Sequence, residues 1–308
     1  MTSAAPILVT GASGQVGGEV VSLLRLRNQS ILAPTSTEMN LASPDAIRAY
    51  VRKHRPAWII NAAAYTAVDK AESEVELAEA INAVAPGVLG EEAAILHIPV
   101  IHFSTDYVFA GDGLKPWVET DATGPLSTYG RTKLEGEQAL ANSGAAYMIF
   151  RTSWVYGATG KNFFRTILRV ARERESMSIV ADQFGAPTWA RDLARLALFV
   201  IDKAGSNAED AVRHLGGHYH ACNGGETTWF GFAEEILRQA AHYEPNVKFA
   251  TLHPVPTEAY PTPAKRPANS RMNCSLLATK LAFQMPDWRE SLAQVISEYD
   301  QLRVTGSL

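Results

Sequence analysis

The feature that most constrains this chain is a glycine-rich turn that follows a short apolar run near the N-terminus. Residues 7–10 read Ile-Leu-Val-Thr, and residues 11–17 read Gly-Ala-Ser-Gly-Gln-Val-Gly. Apolar residues then recur at helical spacing from Val16 to Leu24. A strand, a glycine turn and a helix in this order bring backbone N–H groups close to a pyrophosphate at the helix N-terminus. The segment therefore predicts a dinucleotide site, and a plain strand-to-helix turn is the alternative.

Apolar runs and amphipathic stretches continue to alternate as far as residue 151. Further strands are expected at residues 31–33, 58–61, 99–103 and 148–151, separated by helices at 46–54, 74–95 and 126–142. Such regular alternation predicts an α/β fold with a doubly wound parallel sheet. Ligands of these sheets bind at the carboxyl ends of the strands.

Beyond residue 151 the alternation loosens, which predicts a second, smaller region. We expect residues 1–157 to form a dinucleotide-binding domain, with a return segment near 176–222, and residues 158–308 to form mainly a substrate-binding domain. The charged stretch 68–72 is expected to be a loop. The proline-rich stretch 253–267 is expected to be extended rather than helical.

Composition narrows the classes of partner. The net charge is -4 and charged residues make up 19%, so neither a nucleic acid nor a membrane surface is expected as a partner. No apolar run reaches the ~18 residues of a membrane-spanning helix. Cys222 and Cys274 lack metal-type spacing, and the N-terminus lacks signal-peptide anatomy. These features favour a reducing, cytoplasmic location.

A tyrosine and a lysine in the predicted helix 126–142 suggest proton transfer. Tyr129 and Lys133 are four residues apart, which places both side chains on one helix face. A nearby ammonium would favour the phenolate and lower the tyrosine pKa. The pair could then exchange a proton with a sugar or alcohol oxygen, and Thr105 could share that oxygen. An exposed helix pair without function is the alternative.

The end of the second expected strand does not decide between NADH and NADPH. Proteins of this kind often use an acid there for the ribose 2′-hydroxyl, or an arginine for a 2′-phosphate. Residues 34–38 read Pro-Thr-Ser-Thr-Glu, with no acid directly after the strand and no arginine. Either cofactor is therefore expected to bind, with hydroxyl groups contacting the adenosine ribose.

Longer blocks of sequence resemble the dTDP-4-dehydrorhamnose reductases, in the extended branch of the short-chain dehydrogenase/reductase superfamily. The blocks are residues 61–72 (NAAAYTAVDKAE), 104–109 (STDYVF), 151–157 (RTSWVYG), 182–188 (DQFGAPT) and 266–271 (RPANSR). The resemblance spans nearly the whole chain and implies a Rossmann fold. It also implies reduction of the C4 ketone of dTDP-4-dehydro-β-L-rhamnose by NADPH or NADH. The product, dTDP-L-rhamnose, is a precursor of cell-surface polysaccharides.

The resemblance further implies roles for single residues. Tyr129 would donate the proton, Lys133 would hold the nicotinamide ribose and lower the tyrosine pKa, and Thr105 would hydrogen-bond the reacting oxygen. Asp106 and Trp154 would border the sugar, and Arg266 or Arg271 would bind the nucleotide diphosphate. The residues implied at the cofactor, besides Tyr129 and Lys133, are Gly11, Gly14, Gln15, Val16, Gly17, Asn40, Leu41, Ala63, Ala64 and Tyr65.

Assembly is less well indicated than chemistry. Some members of the family pair across a dimer through magnesium bound by glutamates, and Glu19 fits one such position. Residues 190–192 read Ala-Arg-Asp, so a second glutamate ligand is missing there. We therefore expect a monomer or a homodimer, and the sequence argues against a magnesium-linked pair.

Two other interpretations remain open. One is a nucleotide-sugar epimerase, dehydratase or other reductase of the same superfamily, although Asp106 is followed by Tyr107 and not by the second acid of the dehydratases. The other is a non-catalytic protein similar to the regulatory subunit of methionine adenosyltransferase. The intact set of Thr105, Tyr129 and Lys133 favours an enzyme.

Overall fold

The computed structural model describes residues 5–307, and its largest element is a six-stranded parallel sheet. The strands of the chain are β1 (Ile7–Thr10), β2 (Ile31–Leu32), β3 (Trp58–Asn61), β4 (Val100–Thr105), β5 (Tyr147–Thr152), β6 (Val155–Tyr156), β7 (Ser176–Val180), β8 (Phe184–Gly185), β9 (Thr188–Trp189), β10 (Gly217–His220), β11 (Thr227–Thr228) and β12 (Thr251–Val255). The large sheet has the order β2-β1-β3-β4-β5-β10, and all its neighbours are parallel. The chain changes direction across the sheet between β1 and β3, which is where such folds bind ligands.

Helices cover both faces of this sheet. They are α1 (Gln15–Leu26), α2 (Pro44–His54), α3 (Val68–Ala71), α4 (Val75–Glu79), α5 (Ala85–Leu96), α6 (Thr128–Ala141), α7 (Phe163–Glu173), α8 (Ala190–Ala204), α9 (Ala208–Leu215), α10 (Trp229–Tyr243), α11 (Ser275–Leu281) and α12 (Trp288–Val304). Ile7 and Val9 face a core shared with α1 and α8, whereas Leu8 faces a core shared with α2 and α5. Successive strand residues thus point to opposite faces, and the doubly wound α/β fold is confirmed.

The helix expected at 74–95 is present, with one irregular turn. A π-helical turn, Ala80–Val84, separates α4 from α5. Asn82 in this turn accepts a hydrogen bond from Tyr65 N at 2.8 Å and donates to Tyr65 O at 3.1 Å and to Thr132 Oγ1 at 3.2 Å. The side chain therefore ties the loop after β3 to α6, which carries Tyr129 and Lys133.

Two stretches expected as loops contain short regular elements. The stretch 68–72 forms α3, and the proline-rich stretch includes the end of β12 and a 3₁₀ turn, Thr257–Ala259. Strand β12 pairs in parallel with β7, and Pro254 lies opposite Ile179. Proline is tolerated here because a two-stranded sheet consists of edge strands, each with one side free of ladder hydrogen bonds.

A second apolar core forms away from the large sheet. Phe164 of α7, Phe232 of α10 and Leu292 of α12 are fully buried in it. The segment between α7 and α10 partly returns to the large sheet, because α8 packs on α1 and β10 joins β5. We propose on this basis a division close to the expected one, and the boundary at 157/158 stays a prediction. Within residues 5–307, no helix has the length and apolar character needed to cross a bilayer.

Candidate active site

A cleft of about 860 Å³ lies at the carboxyl ends of β1, β3, β4 and β5. It gathers most of the residues that the sequence indicated: Gly11, Gly14, Gln15, Val16, Ala63, Ala64, Thr105, Asp106, Tyr129, Lys133, Trp154 and Arg266. Four other cofactor candidates are not on its walls: Gly17, Asn40, Leu41 and Tyr65. The cleft spans both regions of the fold, since Trp229 at the start of α10 also lines it.

The glycine turn shapes one wall of the cleft for close approach of a ligand. Gly11 has φ +66°, and a Cβ there would lie 2.7 Å from Ala63 Cα. A Cβ on Gly17 would lie 2.2 Å from Gly11 O, so this glycine serves helix packing. Helix α1 begins after Gly14, which has no side chain to cap its first N–H groups. Such a turn fits the pyrophosphate of a dinucleotide.

The side chain of Gln15 is engaged by a neighbouring loop. Gln15 Nε2 donates to Thr159 O at 2.9 Å, and Asn162 Nδ2 donates to Gln15 Oε1 at 3.3 Å. This leaves the backbone of Gln15, and not its side chain, for the expected pyrophosphate contact. The same contacts bring Lys161, which the sequence did not single out, to the cleft wall.

The end of β2 carries an acid that the sequence only partly revealed. Glu38 folds back so that its Oε2 accepts hydrogen bonds from Thr35 N at 2.7 Å and from Thr35 Oγ1 at 2.9 Å. These hydrogen bonds hold the pKa of Glu38 below its usual value. A carboxylate is thus present beside the strand end, although it lies several residues further along the chain. Nearby, Asn40 Oδ1 accepts from Ala42 N, and Leu41 packs against the core of α2 and α5.

Helix α6 presents the expected tyrosine and lysine to the cleft. Ser127 caps the helix, with its Oγ accepting from Gly130 N at 3.2 Å. The Tyr129 ring meets the Tyr107 ring edge to face, with centroids 5.5 Å apart. At the end of β4, Thr105 Oγ1 donates to Asp106 Oδ1 at 3.0 Å and accepts from Tyr107 N at 3.2 Å. The hydroxyl groups of Thr105 and Tyr129 therefore share one part of the cleft.

The expected effect of Lys133 on the Tyr129 pKa is wrong for this structure. Burial raises the pKa of Tyr129 to about 12; a hydrogen bond with Thr105 acts in the opposite direction, and the charge of Asp106 adds to the rise. Lys133 Nζ points elsewhere: it donates to Phe103 O at 2.7 Å and lies 3.1 Å from His102 Nε2. Burial lowers the pKa of Lys133 to about 8, while the charge of Glu137 opposes that change. Tyr129 is accordingly a protonated hydroxyl at neutral pH.

Asp106 and Arg266 supply charge to the cleft. Burial raises the pKa of Asp106 to about 6, and the hydroxyl groups of Ser270 and Thr105 oppose the rise. Asp106 Oδ2 and Arg266 Nη1 are both buried without a hydrogen-bond partner among residues 5–307. Arg266 Nη2 is held by Asp69 Oδ2 at 2.8 Å. Buried polar atoms of this kind are usually satisfied by a ligand or water.

Arg271, the other arginine considered for the diphosphate, has a structural position. Its guanidinium lies over the Phe184 ring at 5.3 Å and donates to Asn269 Oδ1 at 2.9 Å and to Leu114 O at 2.8 Å. It is not on the cleft wall. Of the two arginines, Arg266 is the one placed to meet an anion in the cleft.

Trp154 closes one side of the cleft through a contact that spacing does not reveal. Its backbone has φ +48°, and its indole stacks on that of Trp229 with centroids 3.7 Å apart. Trp229 Nε1 donates to Gln183 Oε1 at 3.2 Å, which orients the second ring. The two indoles form a flat apolar wall opposite the polar groups of β4.

Comparison with known proteins identifies the family. The profile described as the RmlD substrate binding domain matches residues 5–301. A dTDP-4-dehydrorhamnose reductase of Shigella flexneri is 44% identical over 295 residues, which are 95% of this chain and 97% of that protein. This chain belongs to the dTDP-4-dehydrorhamnose reductase family.

Solved structures and more distant relatives agree. The dTDP-4-dehydrorhamnose reductase of Bacillus anthracis in complex with NADP superposes with a TM-score of 0.85 at 34% identity, covering 96% of this chain and 99% of that one. A probable dTDP-4,6-dihydroxy-2-methyloxan-3-one 4-ketoreductase of Streptomyces antibioticus is 36% identical over 294 residues, or 94% of each chain. As a member of the reductase family, the chain is an NAD(P)H-dependent oxidoreductase.

Glu19, the candidate magnesium ligand of the sequence analysis, is paired with an arginine. Arg191 Nε donates to Glu19 Oε2 at 2.7 Å, and Arg191 Nη2 donates to Glu298 Oε1 at 2.7 Å. Within residues 5–307, no group of three or more metal-ligating side chains is assembled. The guanidinium therefore supplies the positive charge between these carboxylates, and Glu19 as a magnesium ligand stays a prediction that this ion pair argues against.

Proposed function

We propose that this protein reduces the C4 ketone of dTDP-4-dehydro-β-L-rhamnose to the alcohol of dTDP-L-rhamnose. The observation that carries the proposal is the meeting of Thr105, Tyr129 and Lys133 in one cleft with the glycine turn. The names of the relatives supply the nucleotide and the sugar. NAD(P)H supplies the hydride when bound, and the uncapped start of α1 fits its pyrophosphate.

Within this proposal, Tyr129 is the proton donor. Reduction turns the carbonyl oxygen into an alkoxide, which needs one proton to become the product hydroxyl. Because burial keeps the pKa of Tyr129 at about 12, its hydroxyl carries that proton at neutral pH. When the sugar binds, Thr105 Oγ1 would turn its single O–H from Asp106 Oδ1 to the same oxygen and so stabilise the charge that develops there.

Lys133 acts as a fixed cation beside this oxygen and the cofactor ribose. Its side chain is buried, with about 1% of its surface exposed, and Nζ is anchored on Phe103 O. A cation held in a site of low dielectric stabilises an adjacent alkoxide more than it would in water. Lys133 would thereby stabilise the negative charge that develops on the carbonyl oxygen before Tyr129 delivers its proton.

The sugar nucleotide would be held by groups around the two catalytic hydroxyls. Arg266 offers an unpartnered buried Nη1 for the diphosphate, and arginine suits phosphate oxygens. Asp106 Oδ2 offers an acceptor for a sugar hydroxyl, and the indole of Trp154 borders the pyranose. Lys161, in the loop before α7, adds a second positive charge to the cleft. It would bind either the diphosphate of the sugar nucleotide or the pyrophosphate of the cofactor.

A second candidate substrate is another dTDP-linked 4-keto sugar. The relative from Streptomyces antibioticus, a probable 4-ketoreductase with a different sugar name, favours it. The reaction class is the same, so the two candidates differ only in sugar stereochemistry. The relatives described above are reductases or a probable ketoreductase, and none of them is named as an epimerase or as a regulatory subunit.

Turnover with defined sugars tests the proposal. dTDP-4-dehydrorhamnose is generated enzymatically, and consumption of NADPH and of NADH is followed with and without the purified protein. Proton NMR of the product then reports the configuration at C4. Formation of dTDP-L-rhamnose supports the proposal, whereas an inactive protein or the C4 epimer as product contradicts it.

Assembly and location are part of the same proposal. We propose a monomer or a homodimer that does not require magnesium, because Arg191 already pairs with Glu19 and Glu298. A cytoplasmic location is supported by Cys222 and Cys274, which are both free thiols. Size-exclusion chromatography with and without a chelator tests the assembly.

A further inference from the structure

The side chain of Lys133 ends in a buried chain of polar groups that the reaction itself does not use. Lys133 Nζ lies 3.1 Å from His102 Nε2, and His102 Nδ1 lies 3.0 Å from Asn61 Nδ2. Thr10 Oγ1 donates to Asn61 Oδ1 at 2.6 Å and accepts from Ala63 N at 3.2 Å. The chain therefore links the lysine to the cofactor wall through the ends of β4, β3 and β1.

These four side chains are cut off from solvent. Thr10, Asn61, His102 and Lys133 are each at most 2% exposed. Only Lys133 among them lines the cleft. Lys133 is thus the member of the chain through which His102 can reach the reacting oxygen, while Asn61 and Thr10 lead from it to the backbone of Ala63.

The donor and acceptor types allow only two complete patterns. An ammonium has donors alone, so His102 Nε2 must accept from charged Lys133, and the imidazole proton must then be on Nδ1. In the structure Asn61 Nδ2 faces His102 Nδ1, and Asn61 Oδ1 accepts from Thr10 Oγ1. In that orientation Asn61 donates to Nδ1, and Nε2–H donates to a neutral Lys133. Rotation of the amide by 180° turns Oδ1 towards His102, where it accepts the Nδ1 proton and leaves Nε2 to accept from charged Lys133. Each lysine charge state thus goes with one orientation of the Asn61 amide.

Because of burial, the choice between the two networks falls near neutral pH. Burial lowers the pKa of His102 well below the usual value, and the charge of Lys133 adds to that effect, so the imidazole is neutral and one of its nitrogens can accept. Burial also lowers the pKa of Lys133 to about 8. Every acceptor that remains on Nζ then helps to keep the ammonium form.

Other charged groups around the lysine do not replace His102. Glu137, one turn further along α6, is bound by Arg151 of β5 at 2.6 Å and faces His218 of β10 at 3.5 Å. The charge of Glu137 favours the ammonium of Lys133 from a distance. His218 lowers the pKa of His102. Within the described residues, Phe103 O and His102 Nε2 are the hydrogen-bond partners of Nζ.

We propose that His102 is a positioning residue for the catalytic lysine: its Nε2 accepts a hydrogen bond from the Lys133 ammonium and fixes both its place and its charge. Asn61, once its amide has rotated from the orientation in the structure, holds the imidazole in the tautomer that can accept. This inference rests on the role proposed above for Lys133. It assigns a function to a histidine that does not touch substrate or cofactor.

Two variants of equal side-chain length isolate the hydrogen bond. His102→Gln can place an amide oxygen near the position of Nε2, whereas His102→Met cannot. For His102→Met we expect the alkaline limb of the kcat profile to move to lower pH by about one unit. The free energy of one hydrogen bond to a charged group corresponds to a pKa shift of about that size. We expect kcat at about pH 8 to fall about fivefold, because the ammonium fraction there falls from about one half to about one eleventh, with KM for the sugar nearly unchanged. His102→Gln should keep the limb close to that of wild type.

His220→Met is the matched control for replacing a buried histidine. His220 is also fully buried, on β10 two strands from β4, and its Nδ1 contacts Trp117 O at 3.1 Å. This variant should be destabilised in thermal unfolding without a shift of the alkaline limb. If His102→Met does not fold, Asn61→Leu tests the next link and should shift the limb in the same direction by less.

An unshifted limb in the folded variant tested, or equal shifts for glutamine and methionine, overturns the proposal. The dissociation constant of NADH measured against pH in the same proteins gives a readout that needs no turnover. There, too, the loss of affinity should begin at lower pH in His102→Met than in wild type. A wild-type protein without reductase activity would refute the proposed function, while this binding profile would still decide the role of His102.

Discussion

Tyr129→Phe removes a single hydroxyl group and keeps the ring that packs against Tyr107. We expect cofactor binding to persist and kcat to fall ~100- to 10,000-fold, the usual contribution of a positioned general acid. That loss corresponds to about 2.7 to 5.4 kcal/mol of activation free energy. The ring contact, with centroids 5.5 Å apart, does not depend on the hydroxyl.

The buried environment of Tyr129 fixes how this loss depends on pH. With a pKa of about 12, well above pH 7, the Tyr129 hydroxyl stays protonated at neutral pH. Wild-type protein therefore keeps its proton donor throughout the range from about pH 6 to about pH 9. The ratio of wild-type to variant kcat should stay constant across that range. A tyrosine pKa lowered towards neutrality would instead make the ratio shrink as the pH rises.

Steady-state oxidation of NADPH with dTDP-4-dehydrorhamnose measures both quantities. Tyr107→Phe is the matched control, because it removes the neighbouring hydroxyl, whose pKa burial also raises. We expect this control to lose less than about tenfold in kcat. Tyr129→Phe turnover within about threefold of wild type would refute the assignment. A larger loss in Tyr107→Phe would move the role of acid to that residue.

Three further outcomes follow from the charged groups. Arg266→Met should raise KM for the sugar nucleotide about tenfold or more by removing hydrogen bonds to the diphosphate. The control is Lys265→Met, which changes the neighbouring, exposed lysine. An unchanged KM in Arg266→Met would mean that the diphosphate binds elsewhere. Dialysis against a chelator should leave turnover and oligomeric state unchanged, because Arg191 supplies the charge between its two glutamates; a chelator-sensitive dimer would contradict this. NADPH and NADH should differ by less than ~100-fold in kcat/KM. Glu38→Ala should shift the preference towards NADPH by removing the carboxylate that follows β2. A thousandfold preference in wild type would show that another residue contacts the 2′ position.

Site residues could be predicted from the local sequence wherever a single segment determines both a helix or strand and the residue at which it ends. Gly11 is such a case, because a positive φ and a 2.7 Å approach to Ala63 leave room for glycine alone. Thr105 is another, since the last residue of a buried parallel strand must emerge at the ligand-binding edge. Tyr129 and Lys133 could also be predicted from local sequence, because helical spacing places both side chains on one face of α6.

Contacts between distant segments were beyond such reasoning. Trp229 stacks on Trp154 only because the second core carries α10 back to the cleft. Arg191 meets Glu298 across the packing of α8 and α12. In each case the partner is chosen by tertiary packing and not by spacing.

The error over the Tyr129 pKa has the same origin, and it shows how α6 works. Spacing of four places Tyr129, Lys133 and Glu137 in one stripe, but it does not say where the side chains end. The stripe runs from the cleft into the interface with β4 and β5, where Glu137 meets Arg151 in a buried ion pair. Lys133, between the two, turns its ammonium onto Phe103 O of β4. The lysine charge is thus anchored by the sheet before any ligand binds, and it can act on the tyrosine only when negative charge develops at the reacting oxygen.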